Sequence, residues 1–391
     1  MQDGCFFEVQ NYKKIKTGNT FRFYYIFIVY FKLKPTTPIM KKLLKIFLFF
    51  LLIIALFALN AVWQSGSFKT IENSFAGTSQ KIIGLAGVED ITIDQTTGIA
   101  FLASDNRWAT LLKKQPVKGA IYTLNLNDSM PHPLSMTAHF ADEDFHPHGI
   151  SLYKTPEGKK MLFVVNHKQS ENTIEIFEYK NDSLVHQKTI SDVLLVSPND
   201  VVGVGENAFY CTNDHNEKAS AWRGIKDLMT IGTGNVCYFD GQKMHNTSIE
   251  GIKYANGINI SADGKKLYLA STSGKLILFY DRDIATSLLT KSTEWDANTG
   301  VDNIELDTEG NLWIGCHPQM LKFLSHAKDE SKWAPSEIIK LTMLSNGQIE
   351  QKTIYMNDGS EISASSVGAV YKDKLLIGPV FQNHIVLGKM K

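Results

Sequence analysis

The chain has 391 residues, 43% of them hydrophobic and 20% charged, with 28 glycines and 11 prolines. That composition excludes a disordered, collagen-like or coiled-coil protein. Lys plus Arg is 40 and Asp plus Glu is 40, so the formal net charge is zero and the basic footprint of a nucleic-acid binder is missing. The 4 cysteines (Cys5, Cys211, Cys237, Cys316) have no CxxC or CxxH spacing, which argues against a zinc finger or a thioredoxin-type site. They are also too few to staple a chain of this size, so burial has to hold the fold.

Residues 1–39 contain an aromatic and basic run, Phe21 to Lys32, ahead of a second methionine. The expectation is that Met40 opens the targeting sequence and that 1–39 is an upstream extension or a misassigned start. Met40-Lys41-Lys42 and Lys45 precede fourteen uninterrupted apolar residues, Ile46 to Leu59. With Ala61-Val62-Trp63, about 18 residues are available, between a signal h-region and a full bilayer span. Trp63 and the bulky residues around Asn60 weaken a small-x-small cleavage site. Residues 40–63 therefore read as an uncleaved signal anchor rather than a cleaved signal peptide or a buried core helix. Lysines on the N-terminal side place the N-terminus inside and the body, 64–391, outside the cytoplasm.

Beyond about Gly66 the signals are short β runs, with no convincing amphipathic helix. One pattern recurs: a polar or small cluster, an alternating stretch, a turn with Gly, then three or four apolar residues. It reads GVEDITIDQTTGIAFLAS from Gly87, PHGISLYKTPEGKKMLFVVNH from Pro147 and SPNDVVGVGENAFYCTND from Ser197. It returns as YANGINISADGKKLYLAS from Tyr254, GVDNIELDTEGNLWIGCHP from Gly300 and ASSVGAVYKDKLLIGPV from Ala364. Six units of about 50 residues predict an all-β fold, a six-bladed β-propeller of four-stranded blades behind an N-terminal anchor helix. A large β-sandwich accounts for the alternation but not for the sixfold recurrence.

The start of each repeat carries Glu89-Asp90, His148, Asn199-Asp200, Asn256, Asp302-Asn303 and Ser365-Ser366. In a propeller the innermost strands line one central channel, so these positions converge on the axis. Buried and unpaired, such groups cost roughly 1–3 kcal/mol each and more when charged. A hard cation removes that cost: Ca²⁺ takes about 6–8 oxygen ligands, whereas zinc calls for His or Cys. Asp and Asn are also common turn residues at strand starts, and any one pair alone reads that way.

These motifs (GVEDITI, HPHGISL, MLFVVNH, PNDVV with FYCTNDH, ANGINISADGK, VDNIELD with NLWIGCHP, and KLLIGPVF) resemble, in order, those of the paraoxonase/arylesterase family over roughly residues 84–386. The resemblance implies a six-bladed propeller with two axial Ca²⁺ ions that hydrolyses lactones and aryl esters. By matched position it implies a catalytic calcium held by Glu89, Asn199, Asn256, Asp302 and Asn303. It implies a second, structural calcium held by Asp90, Asp200 and the backbone carbonyl of Ile150. It makes His148 the general base, His167 its partner in a dyad and His317 a further active-site histidine; His215 also falls on the pattern.

Such a calcium would polarise a carbonyl, while a neutral imidazole takes a proton from water. No GxSxG elbow occurs, so a serine nucleophile is unsupported. The chain departs from the family in three places. The family's animal members carry a disulfide between the region before the first blade and the chain end, and here neither stretch has a cysteine, so closure rests on strand pairing. Trp108, beside Arg107, stands near the position of the family's active-site tyrosine, which alters the acyl pocket. Residues 216–235 replace a pocket-shaping loop and read as a lid or a membrane-facing surface. Cys316 as a thiol nucleophile is the weaker reading. Two other functions compete: a gluconolactonase-type sugar lactonase, which the aromatic content near Trp108 and Trp222 opposes, and a non-catalytic calcium-stabilised propeller that binds a partner. The expected partners are a small lactone or ester and, through the anchor, a membrane, with no nucleic acid.

Overall fold

The computed structural model describes residues 37–391 except 219, 221, 222, 224, 225, 227, 228 and 230. The extension 1–36, Cys5 and Trp222 lie outside the described residues. The chain divides into two units, Met1–Ala55 and Leu56–Lys391. Helix α1, Pro38–Gln64, carries the apolar run and has no buried residue; it is long and apolar enough to cross a membrane.

The second unit is a six-bladed β-propeller. Its innermost strands are Val88–Asp94, Pro147–Lys154, Pro198–Gly203, Ala255–Ile260, Gly300–Leu306 and Ser365–Tyr371, each beginning within one residue of a repeat start. Six antiparallel sheets follow in chain order, called blades 1 to 6. Blade 5 gains a fifth, two-residue strand, Ser74–Phe75, on Ile349–Asn357. Blade 6 takes three strands from the end of the chain and its outermost, Gly77–Ile83, from the front, paired with His384–Met390. That pairing closes the circle without a disulfide, and Cys211, Cys237 and Cys316 are free and buried.

The blades stack face to face, so each sheet buries both faces and its middle strands read as apolar runs. Six core clusters result, one at each blade interface. Between blades 1 and 2, for instance, Phe101 and Ile121 pack with Leu162, Val164 and Phe177.

Beyond Gly66, where the sequence shows no convincing amphipathic helix, the described residues include two short helices. Helix α2, Arg107–Leu111, sits in blade 1 with Asn106 Oδ1 accepting from the Ala109 amide as its cap. Helix α3, Met320–Lys328, follows the CHP motif in blade 5 and buries His326. Five and nine residues are too few to show a helical period.

Neighbouring innermost strands approach so closely that two glycines are obligatory. A Cβ on Gly149 would lie 2.4 Å from Asp200 Oδ1 and 2.5 Å from Asp200 Cα, and one on Gly257 would lie 2.5 Å from the Asp302 carbonyl oxygen. Gly149→Ala is therefore expected to force blades 2 and 3 apart and lower unfolding free energy by roughly 1–3 kcal/mol, readable in a urea melt. An unchanged midpoint would show that the strands can separate freely.

Candidate active site

In a regular strand adjacent side chains point to opposite faces, so Glu89 and Asp90 cannot both face the axis without a break in register. Every blade supplies that break at the same place. The pairing of the innermost strand shifts between Val88 and Asp90, Pro147 and Ile150, Pro198 and Val201, Ala255 and Ile258, Val301 and Ile304, and Ser365 and Val367. These β-bulges re-aim the ring residues. The signal was present in the sequence as consecutive polar pairs (Glu-Asp, Asn-Asp, Asp-Asn) inside β runs.

The ring is buried: Glu89, Asp90, Asn199, Asp200, Asn256, Asp302 and Asn303 are each at most 5% exposed. Five of its side-chain oxygens (Glu89 Oε2, Asn199 Oδ1, Asn256 Oδ1, Asp302 Oδ1 and Asn303 Oδ1) have no hydrogen-bond partner among the described residues. Their other polar atoms are engaged. Asn303 Nδ2 donates to the Glu89 carbonyl oxygen and to Glu89 Oε1, each at 2.9 Å, which fixes its Oδ1 away from them. Asn256 Nδ2 lies 3.0 Å from Thr272 Oγ1, and Ser366 Oγ donates to the Glu89 carbonyl oxygen at 2.6 Å. Burial raises the Glu89 and Asp302 carboxyls above the ordinary range, opposed by Arg107 for Glu89 and by His317 for Asp302. Among the described residues no group of three His, Cys, Asp or Glu side chains is placed to hold a metal alone. The donor set is mostly amide, which suits a hard cation and not zinc.

Asp90 and Asp200 form a second pair. Asp90 accepts from the Ile91 and Ile150 amides at 2.8 and 2.7 Å, and Asp200 from the Val201 and Ile258 amides, each at 2.7 Å. Each carboxylate thus spans two strands and keeps spare lone pairs. Burial drives both carboxyls well up, helped by the Glu89 charge for Asp90 and by the Asp90 charge for Asp200. Ile150 is placed beside Asp90 through its N–H.

Two histidines sit at the ring's edge in blade 2. His148 Nδ1–H donates to the Asn199 carbonyl oxygen at 2.8 Å, and Nδ1 lies 3.7 Å from Glu89 Oε2. His167 Nδ1–H donates to Asn172 Oδ1 at 2.9 Å, while Asn172 Nδ2 reaches the carbonyls of Leu195 and Val196. The rings meet edge to face with centroids 5.0 Å apart. Both Nδ1 atoms are committed as donors, so each Nε2 carries the lone pair in the neutral ring. Burial, helped by Arg107 for His148 and by His148 for His167, lowers both histidines to about 4.

His317 stands apart from this pair: its Nε2–H donates to Asp302 Oδ2 at 2.8 Å, and its ring packs 4.1 Å from that of Phe323 on α3. His215 pairs with Asp214 at 2.8 Å. The Cys316 thiol is fully buried and burial pushes it well up, opposite to an activated nucleophile. An aromatic wall not evident in the sequence joins α2 and α3. Trp108 stacks on Phe381 (5.5 Å, 14°) and meets His326 edge-on at 5.0 Å, and Phe381 lies 6.1 Å from Phe323.

The structure is a six-bladed propeller with oxygen donors gathered on its axis and a partly buried histidine pair beside them. A family profile described as Arylesterase matches residues 76–387, and the chain belongs to that family. Human serum paraoxonase/arylesterase 1 is 34% identical over 302 residues, covering 75% of this chain and 84% of that protein. Chicken (Gallus gallus) serum paraoxonase/arylesterase 2 is 35% identical over 301 residues, again 75% and 84%. Among solved structures, a gluconolactonase from Xanthomonas campestris superposes with a TM-score of 0.48 at 14% identity, over 81% of this chain and 90% of that one. The protein is an ester hydrolase of the paraoxonase type.

Proposed function

We propose that the protein is a calcium-dependent hydrolase of lactones and aryl esters, held at a membrane by α1 with the propeller outside the cytoplasm. The observation that carries this reading is the set of five buried, unpartnered oxygens from four blades, centred on Glu89 and Asp302. Glu89, Asn199, Asn256, Asp302 and Asn303 would hold a catalytic Ca²⁺, and Asp90 and Asp200, with the Ile150 carbonyl, a second, structural one. Bound at the first of these sites, Ca²⁺ supplies Lewis-acid polarisation of the substrate carbonyl.

The side chains account for the rest. His148, neutral at pH 7, presents Nε2 to take a proton from the attacking water. The resulting imidazolium keeps its Nδ1–H bond to the Asn199 carbonyl and passes the new proton to Nε2 of His167. His317 acts through Asp302: by donating to Oδ2 it leaves Oδ1 turned toward the other donors. Trp108, Phe323 and Phe381 give the leaving group an apolar wall and keep water from it, which favours an aryl ester or an alkyl lactone over a sugar lactone.

The test uses the propeller, 64–391, with phenyl acetate and a γ- or δ-lactone. Activity that disappears on chelation and returns with Ca²⁺ is the expected result. A folded, calcium-loaded protein that turns over neither substrate would discard the reading in favour of a binding scaffold.

A further inference from the structure

The turn between the second and third strands of blade 1 carries two buried charges that the proposed chemistry does not use, Asp105 at 6% and Arg107 at 8% exposure. The Arg107 guanidinium spends its hydrogen bonds on backbone carbonyls in three blades. Nη1 donates to Gly87 at 2.7 Å and to Val380 at 3.3 Å, and Nη2 to Pro147 at 3.1 Å. Burying a cation against carbonyls is costly unless the geometry is well satisfied, and Arg suits the task because its planar fork reaches several acceptors at once.

The three acceptors are not arbitrary. Gly87 lies two residues before Glu89, Pro147 directly before His148, and Val380 directly before Phe381. Gly87 has φ +53°, and a Cβ there would fall 2.3 Å from the Asp105 carbonyl oxygen and 2.8 Å from that of Val380, so the strands converge on the guanidinium only because this residue is glycine. Asp105 is a second strut: His146 Nδ1–H donates to its Oδ1 at 2.9 Å, and His146 Nε2 lies 3.4 Å from Asp144 Oδ1. The turn is thereby tied to blade 2 as well. Trp108 follows immediately, pressed on Phe381 and His326.

We propose that Arg107 is a positioning residue: it locks the 105–112 turn across blades 6, 1 and 2 and so fixes Trp108 in the wall that receives the leaving group. The inference rests on the hydrolase reading for its kinetic consequence but not for its structural one.

Two measurements test it. Hydrogen exchange reads the lock directly, through the amides of Ala109, Thr110 and Leu112, which are bonded within the turn. In Arg107→Gln these should exchange at least ~10-fold faster while Ile91 and Val201 in the innermost strands keep their protection. Unchanged exchange overturns the proposal whether or not the wild type hydrolyses any ester. Kinetics read the coupling to Trp108. With phenyl acetate at saturating calcium, Arg107→Gln should raise KM ~10-fold with kcat within about threefold. Trp108→Ala should do the same, and the double variant should be no worse than the single ones, since both remove one effect. Additive losses, or a fall in kcat at unchanged KM, would show that Arg107 acts otherwise and would overturn it. Arg107→Lys, which keeps the charge and loses the fork, should reproduce both the exchange and the KM effect, and it serves if the Gln variant does not fold. Faster exchange in the variant, with wild type and variant both inactive, would retain the lock and discard the hydrolase reading.

Discussion

Glu89→Gln is expected to abolish hydrolysis while leaving the metal-free protein as stable as before, or more so. Glu89 and Asp302 are the two carboxylates among the five unpartnered oxygens, and calcium affinity follows the number of ligand charges. Removing one should weaken the catalytic site by at least ~100-fold. Lewis-acid stabilisation of several kcal/mol, at roughly 1.4 kcal/mol per tenfold in rate, corresponds to a loss of about 10³-fold in kcat/KM. Without a cation, however, the glutamate is a buried charge that burial pushes upward in pKa, so its neutral isostere removes a cost rather than a contact. Gln keeps Oε1 as the acceptor for Asn303 Nδ2, now at 2.9 Å. Calorimetry with and without Ca²⁺ separates the two effects. The wild type should gain stability with added calcium, about 2.7 kcal/mol at a concentration 100 times Kd, and the variant should lose the share due to this site. A variant that keeps both the full calcium-dependent rise in Tm and the activity would remove Glu89 from the metal site.

The parts of this arrangement that the sequence displays are those that repeat. Each innermost strand has the same task, so Glu89-Asp90, Asn199-Asp200 and Asp302-Asn303 stand at equivalent offsets, and blade number and axis could be read before any coordinates. What repetition does not carry was invisible. The closing strand Gly77–Ile83 lies on the outer edge of blade 6 and is mostly exposed, so it has no apolar signature. Helix α3 is too short to register a period, and with it the contacts of Phe323 and His326 went unseen. The partner of His317 lies on the neighbouring strand of its own blade, 15 residues away, and the acceptors of Arg107 are reached across blades, over as many as 273 residues; no local pattern encodes either. The bulges occupy the middle ground: adjacent polar residues in a β run announce that the register must break, though not how.

His148→Gln carries the second large effect, a fall in kcat of ~10²–10⁴-fold with calcium-dependent stabilisation retained. The argument turns on which nitrogen is free. Because Nδ1–H is held by the Asn199 carbonyl at 2.8 Å, only Nε2 is available as a base, and Gln cannot supply a lone pair that accepts a proton near neutral pH. The pH profile gives the same test a second axis. Burial, then Arg107, lowers His148 to about 4, against about 6.5 for an unperturbed imidazole. The base is competent when neutral, so wild-type kcat/KM at saturating calcium should stay level from pH 7 down through 6.5 and fall only as pH approaches about 4. A nearby cation lowers that midpoint further and never raises it. His167→Gln removes the proton's next station and not its first acceptor, so its loss should be smaller, ~10-fold, with the acid limb preserved. In His148→Gln the residual rate should have no limb attributable to imidazole. If that variant retains the wild-type rate and profile, water is activated by another group; Glu89, whose Oε2 lies 3.7 Å from His148 Nδ1, is then the side chain to replace next.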